Sequence, residues 1–331
     1  MATARREAEA TRADLAFHAA LTRIGLETLP EALDLWDEVP TTAKRTTASS
    51  WLSKAVQMVM TRRRLSRDLA LAYYRLARAL RTGTTIPDPY NPEPTSVTLG
   101  DLRREFAALA PDGEDVEEEG EDDPVLIEEI ERLTAESERL EREAEEEART
   151  TLEALGPANL EKKTEQLDPE APASEVDAAR EAAHAAAGAR QAAGAERVVM
   201  DGARGELFSL VQRDKRVLGW ARYSTTGTPC GWCAMLISRG AVYKTEASAQ
   251  FSEGDLYHDN CHCAAIPLWT REQYAGSMFE LNRYYQELWP QVTRGLSGKA
   301  AVSAWRRFIR QEQKAAAQAA RSSPTTNVQE A

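Results

Sequence analysis

The chain has 331 residues, a hydrophobic share of 42% and a net charge of −12. The negative charge is concentrated in residues 114–149, which hold 18 acidic and 4 basic side chains, so the rest of the chain is close to neutral. General nucleic-acid binding needs a broad basic face, so we expect no strong general binding of DNA or RNA and only local contacts. No apolar run approaches the roughly 18 residues that span a bilayer, and the N-terminus lacks a signal sequence, which predicts a soluble cytosolic protein without membrane contact.

Residues 1–84 are predicted to form an N-terminal helical region. Its first helix has apolar residues at Leu15, Ala19, Leu21 and Leu26, and its second runs from about Thr47 to Arg81. The second shows apolar residues three to five positions apart, as on one helix face, namely Val56, Met60, Leu65, Leu69, Tyr73, Leu76 and Leu80. Four arginines are expected to remain solvated, or to contact an acidic partner: Arg62, Arg63, Arg64 and Arg67.

Residues 85–123 are predicted to be a proline-rich strap followed by an acidic linker. Four prolines lie between Ile86 and Pro94, which excludes a helix and favours an extended, semi-rigid strap. From Glu114 to Asp123 the only large apolar residue is Val116, so this part is predicted to be disordered.

Residues 124–173 are predicted to be an acidic helical arm and its linker. Spacings of four and three form a heptad-like seam, which indicates a coiled-coil-like arm: Leu126, Ile130, Leu133, Ser137, Leu140 and Ala144. Charge repulsion would oppose self-association of this arm unless a basic partner neutralised it. A solvated single helix is the alternative.

Residues 174–312 are predicted to be a C-terminal domain, and residues 313–331 a disordered tail. Ser174 is a candidate cap of an alanine-rich helix reaching at least Val199, and a more apolar helix is predicted over Leu207–Trp220. Short strands are expected at Ala241–Tyr243 and at Ala264–Ile266, with Pro267 ending the second. The next aromatic residues are assigned to the core: Tyr274, Phe279, Tyr284, Tyr285 and Trp289. The predicted fold class is therefore mainly α with a small α+β C-terminal domain.

All four cysteines lie in this domain, in Cys230-Gly-Trp-Cys233 and in His258-Asp-Asn-Cys261-His-Cys263. Cysteines three apart can direct both sulfurs at one centre, and a second Cys/His cluster can complete a tetrahedral zinc shell. We therefore predict a structural zinc site with ligands drawn from Cys230, Cys233, His258, Cys261 and Cys263. A metal-free cluster of buried thiols and a redox pair are the two alternatives.

Three enzymatic interpretations of this segment are less well supported. A zinc deaminase needs an upstream His-x-Glu, and His184 is followed by two alanines. A thioredoxin-like site needs a βαβ pattern, which is missing. A hydrolase could use Ser224 with a base and an orienting carboxylate, but no Gly-x-Ser-x-Gly motif supports it; the candidates are His258 or His262 and Asp255 or Asp259.

The run Pro229-Cys-Gly-Trp-Cys-Ala-Met-Leu236, with Gly240-Ala-Val-Tyr243 and His258-Asp-Asn-Cys-His-Cys263, resembles the C-terminal domain of phage Mu F-like minor head proteins. Tyr73–Gly83 is also similar to N-terminal regions of actinobacterial-phage head proteins. The family's second cluster usually reads His-x-x-Cys-Arg-Cys. Because His262 stands in place of that arginine, the resemblance implies the loss of its charge contact.

This resemblance implies a minor capsid protein that acts in head morphogenesis. Its expected location is the virion, in the capsid interior or at the portal vertex, after assembly in the host cytoplasm. The implied partners are the portal protein and the major capsid or scaffold protein. Many proteins of this kind are labelled capsid maturation proteases, so cleavage of scaffold or capsid protein is the alternative function, with nucleophile and base drawn from Ser224, Cys230, His258 or His262. The residues favour a non-enzymatic role, because they specify no catalytic site.

Overall fold

The computed structural model describes residues 2–88, 95–110, 122–130, 134–224, 229–243 and 263–322. The described residues up to Arg216 belong to one compact unit, and those from Val217 onward belong to a second. The predicted fold class, mainly α with a small sheet-containing C-terminal part, is confirmed. Within these residues, no helix has the length and apolar character needed to cross a membrane. The division after Arg216 differs from the predicted domain start at residue 174, because the helix beginning there packs with the N-terminal helices.

The first unit is a helical body. Helices α1, α2 and α6 pack pairwise against one another at its centre, and α4 packs on α2 and α6. The six helices described in this unit are α1 (Ala2–Trp36), α2 (Ser49–Thr82), α3 (Leu99–Leu109), α4 (Thr134–Leu155), α5 (Pro157–Thr164) and α6 (Ala173–Arg213).

Of the four apolar residues singled out on the first helix, Leu21 is buried in α1, and Leu15, Ala19 and Leu26 are exposed. Leu15 and Leu26 are 41% and 50% exposed, whereas Ala13, Phe17 and Ile24 are buried together with the correctly predicted Leu21. The buried positions follow the three- and four-residue spacing of one helix face. Apolar residues occupy the opposite face as well, so periodicity alone did not select the side that packs on α2 and α6.

Three of the four arginines predicted to be solvated on α2 contact neighbouring helices instead. Arg62 donates to Glu27 and Glu31 of α1, each at 2.9 Å. Arg63 donates to the backbone carbonyl of Val198 in α6 at 2.9 Å. Arg67 is partly buried and lies 3.8 Å from Glu141 of α4. Arg64 is exposed, as predicted. Leu65, which was assigned to the apolar face, is also exposed.

The acidic segment contains a packed helix rather than a free arm. In α4, Glu141 lies 3.8 Å from both Arg63 and Arg67 of α2, and Glu147 accepts from Arg197 of α6 at 2.8 Å. The basic partner that this acidic helix requires is therefore in the same chain. The face of α4 that is buried carries Ala144, Ala148 and Leu152.

The predicted heptad seam fails at its N-terminal end, because Leu126 lies in a strand and is 63% exposed, and Leu140 is 42% exposed. The strand belongs to a small sheet that was not predicted, in the order β1 (Thr84–Thr85), β3 (Pro124–Ile127), β2 (Ser96–Thr98). Strand β3 runs parallel to β1 and antiparallel to β2. Most of the predicted strap and linker, residues 89–94 and 111–121, lies outside the described residues.

Helix α6 is a single helix of 41 residues, where the sequence predicted two. Pro172, not Ser174, occupies the N-cap position. The helix ends at Arg213, because Asp214 already has extended backbone, and the predicted helical end at Trp220 belongs to a strand. Glycines permit close contact along α6. A Cβ built on Gly202 would lie 2.5 Å from the carbonyl oxygen of Arg63, which is backbone and cannot rotate away.

Buried charges join α2 to the other elements of this unit. Arg78 and Asp214, each 1% exposed, form an ion pair at 2.6 Å, and the Tyr74 hydroxyl donates to the same carboxylate at 2.8 Å. Arg78 also donates to Glu128 at 2.7 Å, and Arg216 forms a further ion pair with Glu128. These contacts connect α2, the residue that follows β3, and the C-terminus of α6.

A second buried cluster joins α2 to α1. Arg81 makes a bidentate contact with Asp14, at 2.7 and 3.0 Å, and the Tyr73 hydroxyl donates to Asp14 at 2.7 Å. Burial and the neighbouring Asp14 carboxylate raise the pKa of Tyr73 well above its usual range. Tyr73 therefore remains a neutral donor. Buried charges of this kind are tolerated because each has a hydrogen-bonded partner.

In its described residues, the second unit combines a three-stranded sheet with three α-helices. Strand β4 (Gly219–Tyr223) lies between β5 (Ala241–Tyr243) and β6 (Ala264–Leu268), and both pairs are antiparallel. Strand β5 confirms the prediction. Pro267 lies within β6 instead of ending it. Proline has no N–H to donate, and an edge strand allows this at a position whose N–H would point outward, away from the ladder. The helices are α7 (Gly231–Ile237), α8 (Glu280–Val292) and α9 (Gly298–Ser322).

The core of the second unit is centred on Trp305 of α9, which is fully buried. Its ring contacts Tyr285 and Trp289 of α8 at centroid distances of 5.6 and 5.2 Å. Phe279 and Tyr285 are buried as predicted, whereas Tyr284 is 52% exposed. Because α9 extends to Ser322, the predicted tail from residue 313 is wrong over its first part, and residues 323–331 lie outside the described residues.

We expect Gly202→Ala to lower the free energy of unfolding by about 1–3 kcal/mol, because α6 would have to move away from α2. Gly205→Ala is the matched control on the same helix. Nothing lies within 4 Å of a Cβ there, so its helix propensity should raise stability by up to about 1 kcal/mol. Urea unfolding monitored by circular dichroism measures both values. Equal shifts in the same direction would contradict the close packing at Gly202.

The ion pairs at Glu128 predict a pH-dependent stability. Hydrogen bonds from Arg216 and Arg78 outweigh the effect of burial and lower the pKa of Glu128 from 4.5 to about 2. A folded-state pKa below the unfolded one stabilises the fold above the unfolded pKa, and this contribution is lost as the pH falls towards about 2. Because Glu128 is 34% exposed, we expect Glu128→Gln to cost only about 1 kcal/mol at pH 7.

The cost of Glu128→Gln should disappear near pH 2, as measured by urea midpoints across the pH range. The control is Glu129→Gln, which changes the exposed neighbouring carboxylate. A stability difference between the wild-type protein and Glu128→Gln that stays constant with pH would show that the ion pairs contribute nothing.

Candidate metal centre

The first cysteine pair is positioned by the start of α7. Cys230 is the N-cap residue, and its Sγ accepts a hydrogen bond from the backbone N–H of Cys233 at 3.3 Å. The Cys230 carbonyl accepts from the N–H of Ala234 at 2.8 Å. Both cysteines are therefore held on one helical turn, whose far side is buried through Met235 and Leu236. The local fold depends on this cap, because the first N–H groups of a helix lack partners within it.

The second cluster contributes Cys263, the residue immediately before β6. Its sulfur lies 3.4 Å from the Sγ of Cys233, and the two side chains belong to residues that are 2% and 3% exposed. The structure thus brings together one predicted ligand from each motif. No disulfide joins Cys230, Cys233 and Cys263. The other two predicted ligands, His258 and Cys261, lie outside the described residues.

Arg222 is a residue of this site that the sequence did not identify. It lies on β4, is 7% exposed, and its Nη1 donates to the Sγ of Cys263 at 3.4 Å. The side-chain amide of Asn282, which is buried in α8, donates to the Arg222 carbonyl at 2.7 Å. A guanidinium donor favours a thiolate over a neutral thiol. The cluster therefore has a positive charge beside it even though His262 replaces the arginine of the related motif.

The register of the sheet explains why sequence inspection missed Arg222. Strand β4 pairs with β6 so that Arg222 faces Ala265, two residues after Cys263. A single arginine in a short strand carries no signal of this proximity. The available hint was its position on the strand that leads into the Cys230 motif.

The described donor atoms agree with zinc chemistry, although they are not a complete site. Two thiolates at about 2.3 Å from one tetrahedral zinc lie about 3.8 Å apart, which is close to the separation of Cys233 and Cys263. In the part of the chain that the structure describes, no group of three or more His, Cys, Asp and Glu side chains converges as a metal site. Cys233 and Cys263 supply two sulfurs, so a four-ligand shell would need two more ligands from Cys230, His258 and Cys261.

The geometry bears on the alternative chemistries as well. Cys230 caps a helix that follows a strand, but both strand pairs described in this unit are antiparallel, so the arrangement differs from a βαβ redox site. Ser224, the candidate hydrolase nucleophile, is 7% exposed. Its possible partners lie outside the described residues, namely Asp255, His258, Asp259 and His262.

Comparison with known proteins shows that the segment carrying this site is similar to a family of viral proteins. Residues 175–289, about a third of the chain, match the family described as VG15 protein, a family of viral and phage gene products. The match begins near the N-terminus of α6 and covers Cys230, Cys233 and Cys263. It supports a phage-encoded protein of the structural or virion type. No curated protein matches, and no solved structure matches.

Proposed function

We propose that this protein is a phage minor capsid protein that acts in head morphogenesis, associated with the portal or the inner capsid surface. The observation that carries the proposal is the match of residues 175–289 to a viral gene-product family. The resemblance of the cysteine motifs to Mu F-like minor head proteins supports the finer assignment. The implied partners are the portal protein and the major capsid or scaffold protein.

The architecture agrees with a structural role. The first unit is built from long helices joined by buried ion pairs. In the second unit, the cysteine cluster sits against a packed core formed by α7, α8 and α9. Among the described residues considered for peptidase chemistry, the Cys230 sulfur serves as a helix cap that accepts the N–H of Cys233, and Ser224 is buried. These features favour an assembly protein over a capsid maturation protease.

Within this function, we propose that the cysteine cluster holds a structural zinc ion. The four ligands would be drawn from Cys230, Cys233, His258, Cys261 and Cys263, and Arg222 would stabilise the Cys263 thiolate. The ion would join the start of α7 to the segment before β6, and so link the two cysteine motifs. In a small domain this link contributes to folding directly.

We expect the purified protein to contain one zinc ion per chain, measured by atomic emission. Chelation should unfold the second unit, because structural zinc contributes roughly 10 kcal/mol or more of apparent binding free energy. Tryptophan fluorescence reports this change, since five of the seven tryptophans lie in that unit: Trp220, Trp232, Trp269, Trp289 and Trp305.

Cys233→Ser and His258→Gln should each lose zinc. His262→Gln is the matched control, because it alters a neighbouring histidine outside the predicted ligand set and should retain the metal. A protein without metal, whose melting curve is unchanged by chelator, would contradict the zinc site. The cysteines would then be buried thiols.

The assembly role is tested in the phage that encodes this chain, with a null allele complemented by wild-type or Cys233→Ser protein. We expect the wild-type protein in purified virions by mass spectrometry, and defective heads by electron microscopy without it. Normal infectious particles that lack the protein would refute the proposal.

Co-expression with the major capsid and scaffold proteins separates the two functions. A shortened capsid or scaffold product that disappears on His258→Ala, in a variant that stays folded, would establish the protease instead. Unchanged capsid and scaffold lengths are expected for the assembly protein.

A further inference from the structure

One face of α9 carries a continuous row of exposed basic residues. At 100° per residue they fall within a sector of about 100°, and at 1.5 Å per residue they span about 22 Å of the helix. We call this row the basic face of α9, and its members are Lys299, Arg306, Arg307, Arg310 and Lys314. Ser303, the residue that lies between them on this face, is also exposed.

The orientation of α9 is fixed by its other side. Ala301, Trp305 and Ile309 are buried in the core of the second unit. Gln313 donates through Nε2 to the Pro229 carbonyl at 3.1 Å, which ties the helix to the loop before the cysteine motif. The basic face therefore points away from the core.

Arg306 is positioned by the cysteine motif itself. Its guanidinium carbon lies 5.8 Å from the centroid of the Trp232 ring, in cation–π contact. Its Cγ would lie only 3.1 Å from a Cβ at Gly231, so the absence of a side chain at Gly231 leaves room for the arginine. The central turn of the basic face, which starts at Arg306, therefore lies over Gly231 and Trp232.

Within the described part of the chain, no carboxylate forms an ion pair with any of the five basic side chains. Arg310 donates from Nε only to the backbone carbonyl of Arg306. The acidic residue of this helix, Glu312, occupies a position on the side of Trp305 and Ile309. The surrounding sequence is only slightly basic, because residues 217–322 hold 12 basic and 8 acidic side chains.

We infer that the basic face of α9 binds the phosphate backbone of nucleic acid. Three of the five side chains are arginines, whose planar guanidinium groups match phosphate oxygens with two parallel hydrogen bonds. The major groove of B-DNA is about 12 Å wide and admits an α-helix. Recognition through phosphates alone is independent of sequence. Apart from Ser303, the side chains named on this face are charged and suit phosphates.

Two other partners fit this face less well. A protein groove that receives a helix takes apolar anchors at spacings of three and four, and such positions on this side of α9 carry charged residues or serine. A membrane surface binds the apolar side of an amphipathic helix, and that side of α9 is buried in the core. The net charge of −12 does not oppose local binding, because charges more than about 10 Å away are largely screened at 0.1 M salt.

The test measures binding of the full-length protein to a fluorescein-labelled duplex of about 20 base pairs by fluorescence anisotropy, across a series of salt concentrations. With about four phosphate contacts, the logarithm of the association constant should fall with the logarithm of salt concentration at a slope of about −4. The triple variant Arg307→Gln, Arg310→Gln, Lys314→Gln leaves Arg306 on Trp232. It should reduce the slope by about 3 and weaken binding at least about tenfold at low salt.

The matched control is Arg12→Gln, Arg64→Gln, Lys162→Gln, which removes the same charge from exposed positions of the first unit and should bind like the wild-type protein. Thermal unfolding confirms that both variants are folded. Absence of binding by the wild-type protein, equal affinity of the basic-face variant, or an equal loss in the control would overturn the inference. Tighter binding of labelled polyglutamate than of the duplex at equal charge would assign the face to an acidic protein instead.

Discussion

The first unit depends on the pairing of charges that are removed from water. The last turns of α2 carry Arg78 and Arg81, whose side chains are each 1% exposed. A buried guanidinium without a partner costs several kcal/mol, so each of these arginines requires a carboxylate in a defined place. Asp214 supplies it at the end of α6, and Asp14 supplies it from α1. The positions of three helix segments are thereby coupled, and the small sheet joins them through Glu128.

The two units reach stability by different means. In the first, long helices bury an extensive apolar surface, and close approach at Gly202 lets α6 pack tightly against α2. The second has short strands and a core built around Trp305. A small core gains most from a covalent or metal link, which is why a zinc ion between the Cys230 turn and Cys263 is physically useful there. Helix α7 would thus be held from two sides, by the proposed zinc at its start and by the aromatic core on its buried face.

Charge is distributed unevenly between the elements. This local distribution, more than the net charge of the chain, decides which surfaces are open to a charged partner. The acidic helix α4 is partly neutralised by Arg67 and Arg197 inside the first unit. The basic face of α9 has no such partner among the described residues. A phage protein with these two features would have an internally compensated acidic helix and one exposed basic surface. The proposed contact with nucleic acid uses that surface and is compatible with an assembly role inside a capsid.

The sequence by itself determined the fold class, the two long N-terminal helices, strand β5 and the grouping of the cysteines. These follow from local signals, namely helical periodicity, a short apolar run after Gly240 and the spacing of rare residues. The family resemblance depended on the same cysteine motifs, and the structure brings one described cysteine of each motif together. The zinc site itself stays a prediction.

The tertiary structure decided which residues face inward and which elements pack together. It exposed Leu15 and Leu26, buried Arg78, packed the acidic helix on α2 and α6, and formed the small sheet from strands far apart in sequence. It also brought Arg222 to Cys263 through the register of β4 and β6. Each of these results depends on partners that are distant along the chain. A local pattern specifies that a helix has two faces, but the charges and shapes of its neighbours determine which face is buried.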